Sequence, residues 1–332
     1  MRTVGGGDPP AGRVRTPDEV TMWWMGLGVA AAGSGPWTVG TGRGSVYAAI
    51  EGQRLGHLAI DRGADRQVVD VGEGLQRVTA KGIATVGLSS RIDVELGVPW
   101  SRVQATRADA PLCAALGLGA CETTEGLGIV DARAKVLVLD EYFNAPLSVA
   151  VGAEVRFGQL TADTRERITN LGEGSLDVGP FLVVGRTAGL GKAGYLSLWA
   201  QGGYRFRSPT TDEYPLADPK RNETAPNGEV VGSAEVLVSP DGRVAFGPSA
   251  NLLHRSGLDF SELDLTDVDR FAALGVTSLK VGGVVVVRAT DSVSGVLSAL
   301  GTAAAVNNPT DSWTVGVGFQ YTGDLPGTGS DQ

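Results

Sequence analysis

The chain is poor in the residues that most often carry chemistry. It has two histidines, His57 and His254, and two cysteines, Cys113 and Cys121, in 332 residues. None of them has the company that a zinc site needs. The expectation is therefore no catalytic residue, no metal and no cofactor. Positive charge is also scarce. Lys and Arg number 28 against 37 Asp and Glu, a formal net charge of −9, which removes nucleic acid as a partner because that needs a basic face. Beyond residue 40 there is no run of about eighteen apolar residues, so no helix of this chain spans a membrane there. A transmembrane barrel survives that test, because alternating strands average to a neutral hydropathy.

What the sequence has in quantity is alternation. In the segment GIATVGLSSRIDVELGVPW, Ile92, Val94, Leu96 and Val98 take one side, and Asp93 and Glu95 take the other. Side chains on a strand point to opposite faces at a period of two, so each such segment separates an apolar from a polar surface. The pattern recurs near residues 44–54, 76–88, 91–103, 127–139, 147–158, 175–186, 194–207, 229–238, 243–253, 277–289, 295–306 and 312–321. This predicts about twelve half-buried antiparallel strands. One segment, LKVGGVVVVR at 279–288, blurs the alternation. The polar face holds Arg77, Lys81, Asp93, Glu95, Asp131, Arg133, Lys135, Glu154, Arg156, Asp177, Arg205, Glu235, Lys280 and Arg288. In a barrel these would line the lumen; in a sandwich they would be the solvated exterior.

The connections carry a second rhythm. Short ones near 88–90, 140–146, 186–192, 239–242 and 290–294 alternate with long ones at 55–75, 104–126, 159–174, 208–228 and 254–276, before a tight NNPTD at 307–311. Outer-membrane barrels keep short periplasmic turns and long extracellular loops. Trp100, Tyr195, Trp313, Phe319 and Tyr321 are candidates for the aromatic girdles at the membrane interfaces. The one long apolar block, residues 21–37, reads as the core of an export signal, with Ala30, Ala31 and Ala32 near a possible cleavage point and a start at Val20 or Met22 as an alternative. A tail followed by a buried apolar strand is the competing reading. Division of the chain follows: an export region over 1–42, a barrel over 43–321 and a short tail over 322–332.

GLSSRIDVELGVPW and the final TAAAVNNPTDSWTVGVGFQY resemble hairpins of the MetA-pathway of phenol degradation family of outer-membrane proteins. The resemblance is one of pattern, across roughly residues 43 to 321. It implies a single all-β antiparallel barrel of about twelve strands in the bacterial outer membrane, with a channel or transporter-like role and no catalytic residues. The chain departs from barrels that end on their last aromatic, since TGDLPGTGSDQ follows Tyr321.

Three motifs are set aside. GRTAGLGKAG at 185–194 has Arg186 at the first glycine position of a phosphate loop and Ala193 in place of its Ser/Thr. GTGRG at 40–44 precedes a strand instead of following one. His254 and Ser256, two residues apart in HRSG, are a weak hydrolase pair.

The resulting expectation is passive passage of small solutes through a narrow pore partly occupied by Arg–carboxylate pairs, with membrane lipid, solutes and the barrel-assembly machinery as partners. Two rivals stay open: a secreted disulfide-bonded β-sandwich or propeller acting as a binding module, and a structural barrel with a plugged lumen. In an exported chain Cys113 and Cys121 read as a local disulfide closing a loop, the alternative being two buried thiols in a cytosolic core. Protein from the cell envelope should show that disulfide by mass spectrometry. Its removal should cost roughly 2–3 kcal/mol and leave the barrel assembled, whereas two free thiols would contradict the assignment.

Overall fold

The computed structural model describes residues 35–62, 65–105, 123–161, 175–211, 223–224, 227–257, 275–306, 308–309 and 312–325. The apolar block up to residue 34, both cysteines and the tail beyond Leu325 lie outside the described residues. The strands, in order, are β1 (Arg43–Arg62), β2 (Asp65–Ser89), β3 (Ile92–Ala105), β4 (Thr124–Leu127) and β5 (Val130–Leu139). Next come β6 (Ser148–Phe157), β7 (Leu176–Gly189), β8 (Tyr195–Arg207), β9 (Thr210–Thr211), β10 (Glu223–Thr224) and β11 (Glu229–Ser239). The chain ends with β12 (Val244–Arg255), β13 (Val276–Arg288), β14 (Val293–Val306), β15 (Asn308–Pro309) and β16 (Trp313–Asp324).

All the pairings are antiparallel, and neighbours in sequence are neighbours in the sheet. The order runs β16, β14, β13, β12, β11, β8, β7, β6, β5, β3, β2, and β1 pairs with both β2 and β16. That double pairing closes a twelve-stranded barrel. β4 and β5 form one wall strand interrupted at Gly128 and Ile129: Trp100 of β3 faces Leu127, whereas Gly97 faces Asp131, so one extra residue is bulged. β9 and β10 make a separate two-stranded ribbon within the connection between β8 and β11.

The outward face is apolar. Ile50, Val94, Leu96, Val98, Leu182, Val236, Val285, Leu297 and Val317 are exposed, Ile50 by 62% and Val317 by 60%. In water such a surface would be a large sticky patch; around a closed barrel it is the lipid-facing band, and closure satisfies the backbone groups that lipid could not. The protein is an outer-membrane β-barrel.

Three departures from the sequence reading have local causes. Residues 55–75 are not a loop: β1 and β2 continue as a paired ribbon to Arg62 and Asp65, with a bulge between Leu55 and His57. Gly56, Gly72 and Gly74 break the alternation there and hide the strand signal. The tight 307–311 link carries β15, whose Asn308 and Pro309 pair with Ala59 and Leu58 of that ribbon. The last strand also runs past Tyr321 to Asp324, opposite Arg43.

The short connections show the expected turn chemistry. In the turn after β11, the Asp241 carboxylate accepts from the Val244 and Arg243 amides at 2.9 and 2.8 Å, which holds its pKa below the usual carboxylate range. Gly242 supplies the positive φ of 74°. The GLGK motif is likewise a strand–turn–strand link, with a 3-10 turn at Gly191–Ala193, and it offers no helix start for a phosphate. His254 Nδ1 pairs with Thr277 Oγ1 at 2.9 Å, and Ser256 is tied through its carbonyl to Asn227.

Val94→Arg tests the outward face directly. A charge near the bilayer midplane costs about 2–4 kcal/mol, so insertion should be impaired, read as loss of heat-modifiable migration. Assembly as efficient as the parent's would mean that Val94 does not meet lipid.

Candidate functional site in the barrel interior

The inward positions divide the lumen into two unlike regions. Near the short turns, Tyr47, Ala49, Ile83, Leu237, Ala245, Val284, Val286 and Val296 form one buried cluster, with Tyr195 packed against it. A second cluster gathers Trp37, Ala150, Phe181, Val183 and Trp199. The first brings together residues of β1 and β2 with residues of β11 to β14, strands that follow one another around the wall with only β16 between them. Glu235, 1% exposed, accepts from Trp199 Nε1 at 3.2 Å within this region.

Toward the long connections the wall from β3 to β12 is charged, and its charges are opposed residue by residue across the strands. Glu95 faces Arg133, and Arg133 faces Glu154. Asp131 faces Arg156, Arg156 faces Asp177, and Asp177 faces Arg207. Arg205 faces Glu229, and Glu229 faces Arg255. Directly opposed side chains lie within reach of each other, so the register itself writes acid against base.

The contacts follow. Arg133 Nη2 sits 3.1 Å from Glu154 Oε2 and Nη1 4.0 Å from Glu95 Oε1. Arg205 joins Glu154 through its Nε and Glu229 through Nη1 at 3.4 Å. Asp177 receives Arg156 at 3.2 Å, Arg207 at 3.3 Å and the Ser175 hydroxyl at 2.6 Å. Glu229 also meets Arg207 at 3.5 Å and Arg255 at 3.4 Å. The five guanidiniums Arg133, Arg156, Arg205, Arg207 and Arg255 thus answer the five carboxylates Glu95, Asp131, Glu154, Asp177 and Glu229.

Below this lattice lies a small cavity lined by Thr85, Asp93, Glu95, Arg133, Lys135, Phe181 and Gln201. It offers water centres a volume of about 10 Å³, the room of a single water molecule. Its floor pairs Lys135 with Asp93, facing residues 3.9 Å apart, both nearly excluded from solvent. The opposite wall carries the remaining residues of the polar face. Lys81 pairs with Glu51 at 2.6 Å and lies over the Tyr47 ring, and Lys280 donates to Thr314 Oγ1 at 3.1 Å. Arg77 shares the inward parity of Lys81 on β2, while Arg288 sits half-buried beside a short turn.

Four members of the interior network were missing from the polar-face set. Arg207 follows the alternation of its strand, opposite Tyr204 and Phe206, while Glu229 and Arg255 sit at strand ends beside long connections, where alternation is short and hard to read. Glu51 is visible only through its pairing with Lys81. The girdle set also needs a change. Trp100 and Trp313 are exposed on the outer face toward the long connections, and Phe319 and Tyr321 toward the short turns. Tyr195 instead shares the inward parity of Trp199 and packs on the interior cluster. Tyr204 and Phe206, an exposed edge-to-face pair with centroids 4.8 Å apart, join the outer aromatics.

No known family profile matches the chain, and no curated protein matches it. Among solved structures it is similar to the COG4313 outer membrane channel from Pseudomonas putida F1. The TM-score is 0.63 at 11% identity, over 86% of this chain and 97% of that one. It is more distantly similar to the NanC porin, with TM-score 0.46 and 9% identity over 83% of this chain and 98% of that one. The CymD monoaromatic hydrocarbon channel gives TM-score 0.35 and 10% identity, over 85% and 88%. At this level of identity the likeness is one of fold.

The lattice generates its own test. Glu154→Leu leaves Arg133 and Arg205 facing each other without their shared carboxylate. Breaking a buried pair on one side costs about 3–5 kcal/mol, so the temperature of heat-modifiable migration should fall clearly below that of the parent and of Glu154→Gln. Equal melting of all three would show that the lattice contributes nothing to barrel stability.

Proposed function

We propose that the protein is an outer-membrane channel for small polar solutes, acting by passive passage and belonging with the MetA-pathway of phenol degradation proteins whose hairpins its own resemble. Its assembly would use the barrel-assembly machinery that inserts such barrels. The observation that carries the reading is the charged lattice above a polar cavity. Buried ion pairs bring little net stability, and well-packed apolar residues of similar volume often do as well or better. The short-turn half of this barrel is filled in that apolar way. A chain able to pack its lumen with Val, Ile and Trp nevertheless keeps ten charges on the wall from β3 to β12. A hydrated route along that wall gives those charges a use. Fixed charges of both signs would then screen solutes by size and charge distribution, with no chemical step.

A second reading has its own support. The two apolar clusters occupy the short-turn half of the lumen, as in a structural barrel without transport. Planar-bilayer recording separates the two. A channel should give discrete conductance steps, and Glu95→Gln, which removes a carboxylate from the cavity wall, should shift the reversal potential toward anions. Barrels shown to be inserted by heat-modifiable migration yet electrically silent would support the structural reading.

A further inference from the structure

The segment that precedes β1 enters the barrel. Residues 35–40 run along the inside of the short-turn mouth and make contacts that no connecting peptide requires. Lys135 Nζ donates to the carbonyls of Gly35 and Trp37, each at 2.7 Å. The Val39 amide donates to the Asp93 carboxylate at 3.1 Å, and the Thr38 hydroxyl to the Ser90 carbonyl at 2.8 Å. Trp37, 5% exposed, fills the apolar cluster, and its indole N–H reaches Glu141 Oε1 at 3.1 Å.

The wall is shaped for this segment. A Cβ on Gly87 of β2 would stand 1.9 Å from the Gly40 carbonyl oxygen, and one on Gly185 of β7 would stand 2.9 Å from the Pro36 ring. Both strands therefore give up a side chain where the segment crosses them. Its hold comes from side-chain hydrogen bonds and the packing of Trp37, with no strand ladder, and it joins β1 through Gly40 and Gly42, whose φ of 88° and 71° favours glycine.

We propose that residues 35–40 are a releasable stopper, latched by Lys135 and Asp93, that closes the short-turn end of the polar route. The inference rests on the channel reading. Both latch residues also line the cavity under the ion lattice, so the stopper is bonded to two residues of that cavity's floor. Withdrawing it bares Lys135 and Asp93, together with the Ala150, Phe181, Val183 and Trp199 side chains that Trp37 covers, and opens the cavity toward the short-turn mouth. The apolar cluster on β1, β2 and β11 to β14 stays in place beside the opening. The bared Lys135 ammonium then faces the pore.

The test compares the full chain with a chain lacking residues 35–40, and with Trp37→Ala and Lys135→Gln, in planar bilayers. The deletion should raise unitary conductance at least severalfold. Each substitution should raise the open fraction while leaving the fully open conductance near that of the deletion. A synthetic peptide with the sequence of residues 35–42, GPWTVGTG, should block the deleted channel in proportion to its concentration and only from the short-turn side. The peptide arm and the Trp37→Ala arm keep the test decisive if the latch variant folds poorly. Equal conductance and open fraction in the full chain and all inserted variants overturns the stopper and leaves the channel standing. Inserted but silent barrels of every form overturn the channel reading and the stopper with it.

Discussion

Everything in this structure depends on the closing of one ladder, the pairing of β1 with β2 on one edge and β16 on the other. Arg43 to Arg54 face Asp324 to Trp313 on one side, while Gly44 to Arg62 face Val86 to Asp65 on the other. Lipid offers no partner for a backbone amide, so an open edge there would cost several kcal/mol per unpaired group. Closure also fixes which side of each strand is inside. Once Val94 faces lipid, Asp93 and Glu95 must face the lumen, and the same parity propagates through the register to every other strand. The acid–base lattice follows from that propagation: Glu95, Arg133 and Glu154 meet because three strands are aligned by the same hydrogen bonds that seal the wall.

The enclosed space is then packed in two ways. Its short-turn half holds two apolar clusters beside buried polar groups such as Asp93, Lys135 and Glu235, and its other half is a lattice of guanidiniums and carboxylates. The two are not interchangeable. Apolar packing stabilises without regard to what passes by, whereas a charge lattice holds its members in place only while each acid has its base. Glu229 of β11, in contact with Arg205 and Arg207 of β8 and Arg255 of β12, shows the dependence: three strand ends meet at a single carboxylate.

Much of this was legible in the sequence, and the illegible parts have physical reasons. Twelve wall strands, their faces and the short and long ends follow from period-two alternation and the spacing of turn residues. Alternation reports a boundary between oil and water, and it fails where both faces are apolar. LKVGGVVVVR is such a place: Val285 and Val287 meet lipid while Val284 and Val286, the latter wholly buried, pack the interior. The same double burial makes Phe181 and Val183 invisible as interior residues beside outward Leu182. Read this way, a blurred strand marks the plugged level of the lumen, and the sequence does contain the signal. Tyr195 was assigned to the membrane interface because tyrosine suits that setting, but its parity with Trp199 places it inside.

Residues 35–40 were illegible for a different reason. Their composition is that of the end of an apolar block, and an export region over 1–42 absorbs them. Nothing local says that Gly35 and Trp37 offer their carbonyls to a lysine a hundred residues away. The partner's sequence position is more telling than the segment's own. Lys135 lies beside Asp131 and Arg133 on the same inward face, and its cross-strand partner Asp93 stands 3.9 Å off. A buried ammonium has three protons to place, and leaving any unplaced is costly. Two backbone carbonyls meet that need at 2.7 Å, and a non-strand segment can present two such carbonyls to one point more readily than a ladder whose carbonyls are already engaged. These two bonds tie the preceding segment to the charged wall, so the same inward face carries both the ion lattice and the anchor of residues 35–40.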